Sequence, residues 1–206
     1  MAADNAYYHP RISSHPECFM FNDYYVQFPE VICHEYTHAV VGHMNPLIGG
    51  VGVGGAINEA IADVVGIVFK HCGHTLPNSK GPWWVGNSRD LSAGFSKAGF
   101  NRDTVPRIDF DGKTTNDNGH VHHNSKFFSH TFFLASDYFK HDPVHEKQLL
   151  KLWWKTVETL DDITVDGFVK ETMEVANSWD FGPIYSAALK NAWQTVGFQE
   201  LMKSYE

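Results

Sequence analysis

The chain has 206 residues, of which 43% are hydrophobic and 19% charged, enough to bury a full core as one domain with an appendage. No apolar run reaches the length of a bilayer span, and a membrane partner is not expected. A formal net charge of −8 without a basic cluster argues against nucleic acid and anionic lipid as the main partner and leaves small molecules and peptides.

Residues 1–28 are rich in Tyr, Phe, Pro and Ser with no helical period, and read as an extended segment preceding a helical domain over 29–206. The first ten, MAADNAYYHP, lack the basic and apolar regions of a secretory signal, so either the protein stays inside the cell or a leader has been removed. Pro29 suits a first helical turn and Glu30 complements the helix dipole, which predicts a helix to Gly42 or slightly beyond. That helix contains His34-Glu35-Tyr36-Thr37-His38. Residues four apart share a face, so His34 and His38 can aim two imidazoles at one point, with Glu35 beside them. A zinc ion with three protein ligands keeps a fourth position for water and lowers that water's pKa, and Glu35 can take the proton.

The glycine-rich stretch Asn45 to Gly55 predicts a turn. A second helix is expected from about Asn58 to Cys72, burying Ile61, Val64, Val65, Val68 and Phe69, with Gly73 as its cap. Within Asn58-Glu59-Ala60-Ile61-Ala62-Asp63, Glu59 offers a third metal ligand, and Asp63, one turn on, can accept a hydrogen bond from a ligand imidazole. Two histidines at this spacing alone are as often ordinary surface or core residues; the second carboxylate motif decides for a metal site. From Gly73 to about Asn124 the chain is rich in Gly, Pro, Asn and Asp, and such a stretch is expected to wall a cleft. Four helices complete the chain: Ser125 to Lys140, Pro143 to Thr159, Val165 to Asn177 capped by Thr164, and Pro183 to Val196 ending at Gly197. Trp153, Trp154, Trp179 and Trp193 read as core. Three cysteines form no even framework; the one pairing to consider, Cys18 with Cys72, has no other support in the sequence.

The last motif, Asp117-Asn118-Gly119-His120-Val121-His122-His123-Asn124-Ser125, precedes a helix. HEYTHAV, GGAINEAIAD and DNGHVHHNS occur in the order and rough spacing of the thermolysin family of zinc endopeptidases, so the chain resembles that family's mainly α-helical C-terminal lobe. Asn5-Ala6-Tyr7-Tyr8 resembles its substrate-binding edge strand, and Ala192 to Gly197 its closing helix. The resemblance implies one catalytic zinc held by His34, His38 and Glu59, with Glu35 as general base and Asp63 and Asn58 orienting the imidazoles. It gives His122 the task of hydrogen-bonding the oxyanion and Asp117 that of orienting His122. Arg89 would hold a substrate carbonyl, and Asn5 and Ala6 would bind the substrate backbone as an added strand. Secretion and an apolar residue on the leaving side of the bond come from the same resemblance.

Three departures stand beside it. Gly42 to Gly55 contains no tyrosine, where the family usually supplies an oxyanion donor contributing about 3 kcal/mol. The positions matching the family's calcium ligands carry Lys70, Pro82 and Asn87, with only Glu30 acidic, so structural calcium is not expected. The family's N-terminal β-rich lobe is missing except for its last strand, which predicts an exposed, unpaired edge at residues 5–8. The leading reading is a zinc endopeptidase, favoured by the intact Glu35, His122 and Asp117. The alternative is a catalytically impaired zinc-binding interaction or regulatory module, favoured by the missing tyrosine and lobe. An exopeptidase would need a group that binds a substrate terminus, and none is evident.

Overall fold

Helix α2 (Gly52–His71) runs through the middle of the molecule, packed against α1 (Pro29–Met44) on one side and α3 (Asn116–Tyr138) on the other. The computed structural model describes residues 6–10, 16–73, 80–100, 116–178 and 180–205. The fold is mainly helical, with two short hairpins. Alanine, valine and isoleucine fill every face of α2, and Ile57, Ala60, Ile61, Val64 and Ile67 are fully buried. With 20 residues and a mean hydropathy of 1.5, α2 is long and apolar enough to span a bilayer, contrary to the sequence expectation. Its apolar residues serve the core: 72% of the window is buried inside the protein.

The glycine-rich stretch is only partly a turn. Helix α2 starts at Gly52, inside the expected break, because its glycines meet neighbouring backbone. A Cβ on Gly55 would lie 2.5 Å from Val121 Cγ1 and 2.8 Å from the Gly50 carbonyl oxygen. Further along, a Cβ on Gly66 would lie 2.5 Å from the Glu30 carbonyl oxygen, so glycine there sets how closely α2 approaches the start of α1. Gly66→Ala is expected to destabilise the protein by about 1–3 kcal/mol, measured by urea unfolding, because the opposing group is backbone and cannot rotate away.

The remaining helices, α4 (Pro143–Thr159), α5 (Val165–Ala176), α6 (Pro183–Val196) and α7 (Gln199–Met202), close the other side. Local chemistry sets their ends. Pro143 opens α4 after Asp142, whose carboxylate accepts from the Val144 and His145 amides at 2.9 and 3.3 Å. Thr164 caps α5 through the Gly167 amide at 2.9 Å, and Gly197 ends α6 in the left-handed region at φ 116°. Between α3 and these helices lies an aromatic seam. Phe128 meets Phe168 at 5.1 Å between centroids, Phe168 meets Trp153 at 5.4 Å, and Trp153 meets Phe132 at 5.4 Å. Trp153 and Trp193 are fully buried, Trp154 is partly buried against the core, and Trp179 lies outside the described residues.

The N-terminal segment forms a hairpin. Strand β1 (Ala6–His9) pairs antiparallel with β2 (Cys18–Phe21), Ala6 opposite Phe21 and His9 opposite Cys18, so the strand expected to stand unpaired has a partner on one edge. A second hairpin, β3 (Trp84–Val85) with β4 (Arg89–Asp90), lies between α2 and α3 in the chain. Cys18, Cys33 and Cys72 are all free, so the Cys18 to Cys72 pairing does not form. Helix α1 is apolar on two faces: Val31, Ala39 and Val41 are buried, whereas Ile32, Tyr36 and Met44 are exposed, Tyr36 with its ring 5.8 Å from that of the exposed Phe19 of β2.

Candidate metal centre and cleft

Three side chains converge where α1 and α2 face each other. His34 Nε2 lies 3.0 Å from His38 Nε2 and 3.3 Å from Glu59 Oε2, and His38 Nε2 lies 3.5 Å from Glu59 Oε1. These are the ligand atoms of a group that could hold a metal ion, all within 4.8 Å of one another. The outer ring nitrogens are both engaged. His38 Nδ1–H donates to Asn58 Oδ1 at 2.8 Å, and His34 Nδ1 is 2.9 Å from Asp63 Oδ1, leaving each Nε2 lone pair facing inward. Two inward lone pairs and a carboxylate need positive charge between them. A proton on His34 supplies it in the metal-free protein, and a divalent ion supplies it to all three groups at once. Two imidazoles and one carboxylate are a zinc-type donor set.

The charges answer to this crowding. Burial and Arg89 pull the His34 pKa down, but Asp63 and Glu59 outweigh them and hold it at about 9. Burial and the His34 charge push His38 down to about 4. Burial raises the Glu59 pKa, yet its bond to His34 and the charges of His34 and Arg89 win and hold it well below the usual carboxylate range. Glu35 is 6% exposed, and burial pushes its pKa up against the opposing pull of His34. The Tyr8 backbone donates a hydrogen bond to that carboxylate and so ties β1 to α1.

Arg89 reaches the cluster from β4. One terminal nitrogen donates to Glu59 Oε2 at 3.2 Å; the other lies 2.9 Å from Asp63 Oδ1 and 3.2 Å from His34 Nε2. This guanidinium bridges the carboxylate that touches both imidazoles and the one behind His34. His122 enters from α3, with Nε2 3.3 Å from Glu59 Oε2. Asp117 grips it at two points, accepting from the His122 amide at 3.0 Å and from Nδ1–H at 2.5 Å. The grip depends on an unusual turn. Asp117, Asn118, Gly119 and His120 have φ of 53°, 51°, 91° and 61°, a left-handed run before the right-handed helix. Left-handed backbone costs a non-glycine residue about 1–2 kcal/mol, and strain of this kind persists where the surroundings hold it in place.

Two adjoining hollows flank the centre. One, of about 600 Å³, is walled by Val41, Pro46, Ile48, Gly49 and Gly50; the other, of about 530 Å³, by Tyr25, Val31, Val85, Ser88 and Arg89. Tyr8, His38, Glu59 and Asn118 border both, and Ala6 borders the second. The structure therefore gathers His34, Glu35, His38, Asn58, Glu59, Asp63, Arg89, Asp117 and His122 around one cleft, with Ala6 at its edge. Asn5 lies outside the described residues. Tyr8 belongs to the segment that resembles the edge strand, whereas Asn118, Tyr25 and Val85 receive no role from the sequence. Only Asn118 carried a signal, as an asparagine tolerant of left-handed backbone beside a glycine.

The sequence profile of the thermolysin metallopeptidase alpha-helical domain matches residues 52–198, well over half of the chain. This chain belongs to the thermolysin metallopeptidase family. The matched span holds Glu59, Asp63, Arg89, Asp117 and His122, and stops short of His34 and His38. Nine chains of solved structures also match. One of them is the precursor of protealysin, a metalloproteinase from Serratia proteamaculans, at 20% identity and a TM-score of 0.56 over 82% of this chain, which shows the shared fold. The thermolysin-family chain described here spans 56% of that relative's length. No curated protein matches the sequence.

Proposed function

We propose that this thermolysin-family chain is a zinc-dependent endopeptidase. Residues 29–206 form its catalytic domain and 1–28 its substrate-binding edge. The observation that carries the reading is the convergence of His34 Nε2, His38 Nε2 and Glu59 on one point that Glu35 and His122 also border. His34, His38 and Glu59 would hold one zinc ion, which when bound polarises a peptide carbonyl and makes water acidic. Structural calcium has no part in this reading.

Within that frame each side chain has a task. The Glu35 carboxylate takes the proton of the attacking water and returns it to the leaving nitrogen; an upward-shifted pKa helps it hold that proton between the two steps. His122, held by the bonds its amide and Nδ1–H donate to Asp117, would as an imidazolium donate from Nε2–H to the negative charge that develops on the substrate oxygen. Asn58 and Asp63 hold the imidazole tautomers. Ala6 and its strand offer main-chain groups to an extended substrate, with Asn5 assigned to the same task. A preference for an apolar residue on the leaving side belongs to the same reading through family resemblance; Tyr25, Val31 and Val85 line the hollow beside Arg89 together with the polar Ser88. Arg89 would orient substrate on that side while it braces Glu59 and Asp63.

Secretion belongs to this reading through family resemblance. So does a β-rich lobe over the exposed Phe19, Tyr36 and Met44, which border one shallow hollow of the kind that binding partners cover. The second reading, a zinc-binding module with impaired catalysis, is favoured by the wall of Gly49 and Gly50, which offers no side-chain donor to an oxyanion. His122→Ala separates the two. In an endopeptidase it lowers kcat on a peptide substrate by about 100- to 1000-fold with little change in KM; a module has no turnover to lose.

A further inference from the structure

Lys70 stands in the last turn of α2, where a lysine ordinarily complements the helix dipole from the surface. Here it is 1% exposed. Its Nζ donates to the Gly81 carbonyl at 2.7 Å and the Trp84 carbonyl at 2.9 Å, and lies 3.7 Å from Glu30 Oε1 in the first turn of α1, a carboxylate itself 2% exposed. His71, the next residue, places Nε2 3.0 Å from the Pro82 carbonyl and Nδ1 2.7 Å from Glu146. The end of α2 thus captures three carbonyls of the 81–84 segment.

This segment leads into the hairpin that carries Arg89. Each strand has two residues, paired Trp84 to Asp90 and Val85 to Arg89, with further amide bonds from Leu91 to Trp83 at 3.0 Å and from Ser88 to Val85 at 3.4 Å. A hairpin so short does not hold its own position. An ammonium that water cannot reach is costly unless every donor is met, so its oxygen partners are confined as strictly as the lysine is. We infer that Lys70 is a positioning residue: it fastens the hairpin to α2 and to the start of α1, and so sets Arg89 against Glu59 and Asp63. The three elements that bring His34, Glu59 and Arg89 together meet at this one nitrogen.

The inference concerns where Arg89 sits and can be tested without catalysis, so it stands or falls apart from the peptidase reading. Urea unfolding of the metal-free protein is measured for the parent, Arg89→Ala, Lys70→Met and the double variant. If Lys70 positions Arg89, the shift in midpoint caused by Arg89→Ala falls to less than half in the Lys70→Met background, because the ion pairs it removes are already disturbed. A residue that only adds stability leaves that shift unchanged. Equal shifts in both backgrounds, or no shift from Arg89→Ala in the parent, overturn the inference. Should Lys70→Met fail to fold with Glu30 left unpaired, the Glu30→Gln/Lys70→Met background removes both charges and serves the same cycle.

Discussion

Glu35→Gln is expected to lower peptide hydrolysis by at least about 100- to 10,000-fold, the range for a positioned proton acceptor, while zinc content and melting temperature stay those of the parent. The amide is nearly the size of the carboxylate and can still accept the Tyr8 backbone bond, so neither β1 nor α1 has reason to move. What is lost is the ability to take a proton. Glu35 makes no ligand contact in the cluster of His34, His38 and Glu59, so the metal should be held as before. Rates and bound zinc measured on the same preparations check this. A variant that retains zinc and loses no activity would remove Glu35 from the chemistry.

The second large effect is expected at Glu59, where one carboxylate serves four neighbours. Its oxygens lie 3.3 Å from His34 Nε2, 3.5 Å from His38 Nε2, 3.3 Å from His122 Nε2 and 3.2 Å from an Arg89 nitrogen. Glu59→Ala removes the one anionic ligand of the proposed centre and takes from the largely buried Arg89 one of its carboxylate partners, leaving Asp63 at 2.9 Å. Breaking a buried ion pair from one side costs about 3–5 kcal/mol, and the 13% exposure of Glu59 places the expected loss near the lower end of that range, about 3 kcal/mol. Zinc should fall from one equivalent to none by atomic absorption after dialysis. His38→Ala should also lose zinc but cost less stability in the metal-free protein, because His38 is held neutral. Equal stability losses in the two variants would show that Glu59 carries no special share of the charge balance.

The parts of the site legible in the sequence are those written at helical spacing. His34 and His38 four apart on α1, and Glu59 and Asp63 four apart on α2, need only local geometry to share a face. Pro29, Pro143, Thr164 and Gly197 mark helix ends because capping is also local. The rest depends on contacts the sequence does not announce. Strands β1 and β2 have four residues each, and neither is long enough to show alternation. Helix α2 begins inside a glycine run because those glycines fit against Gly50 and Val121, a matter of distance rather than propensity. The left-handed turn at Asp117 to His120 hides from a right-handed helical period. Lys70 reads as a lysine at a position matching a family calcium ligand, and nothing in the spacing announces its carbonyl partners eleven and fourteen residues away. Arg89 was legible as a candidate, but its pairing with Glu59 and Asp63 was not.

The most direct test of the central claim is mass spectrometric identification of the products formed when the chain, loaded with one zinc, meets a library of internally quenched peptides. The account predicts cleavage at internal bonds, enriched before apolar residues, lost when zinc is stripped and regained when it is restored. Intact peptides after prolonged incubation with one zinc bound per chain would contradict it and leave the zinc-binding module as the reading of this fold.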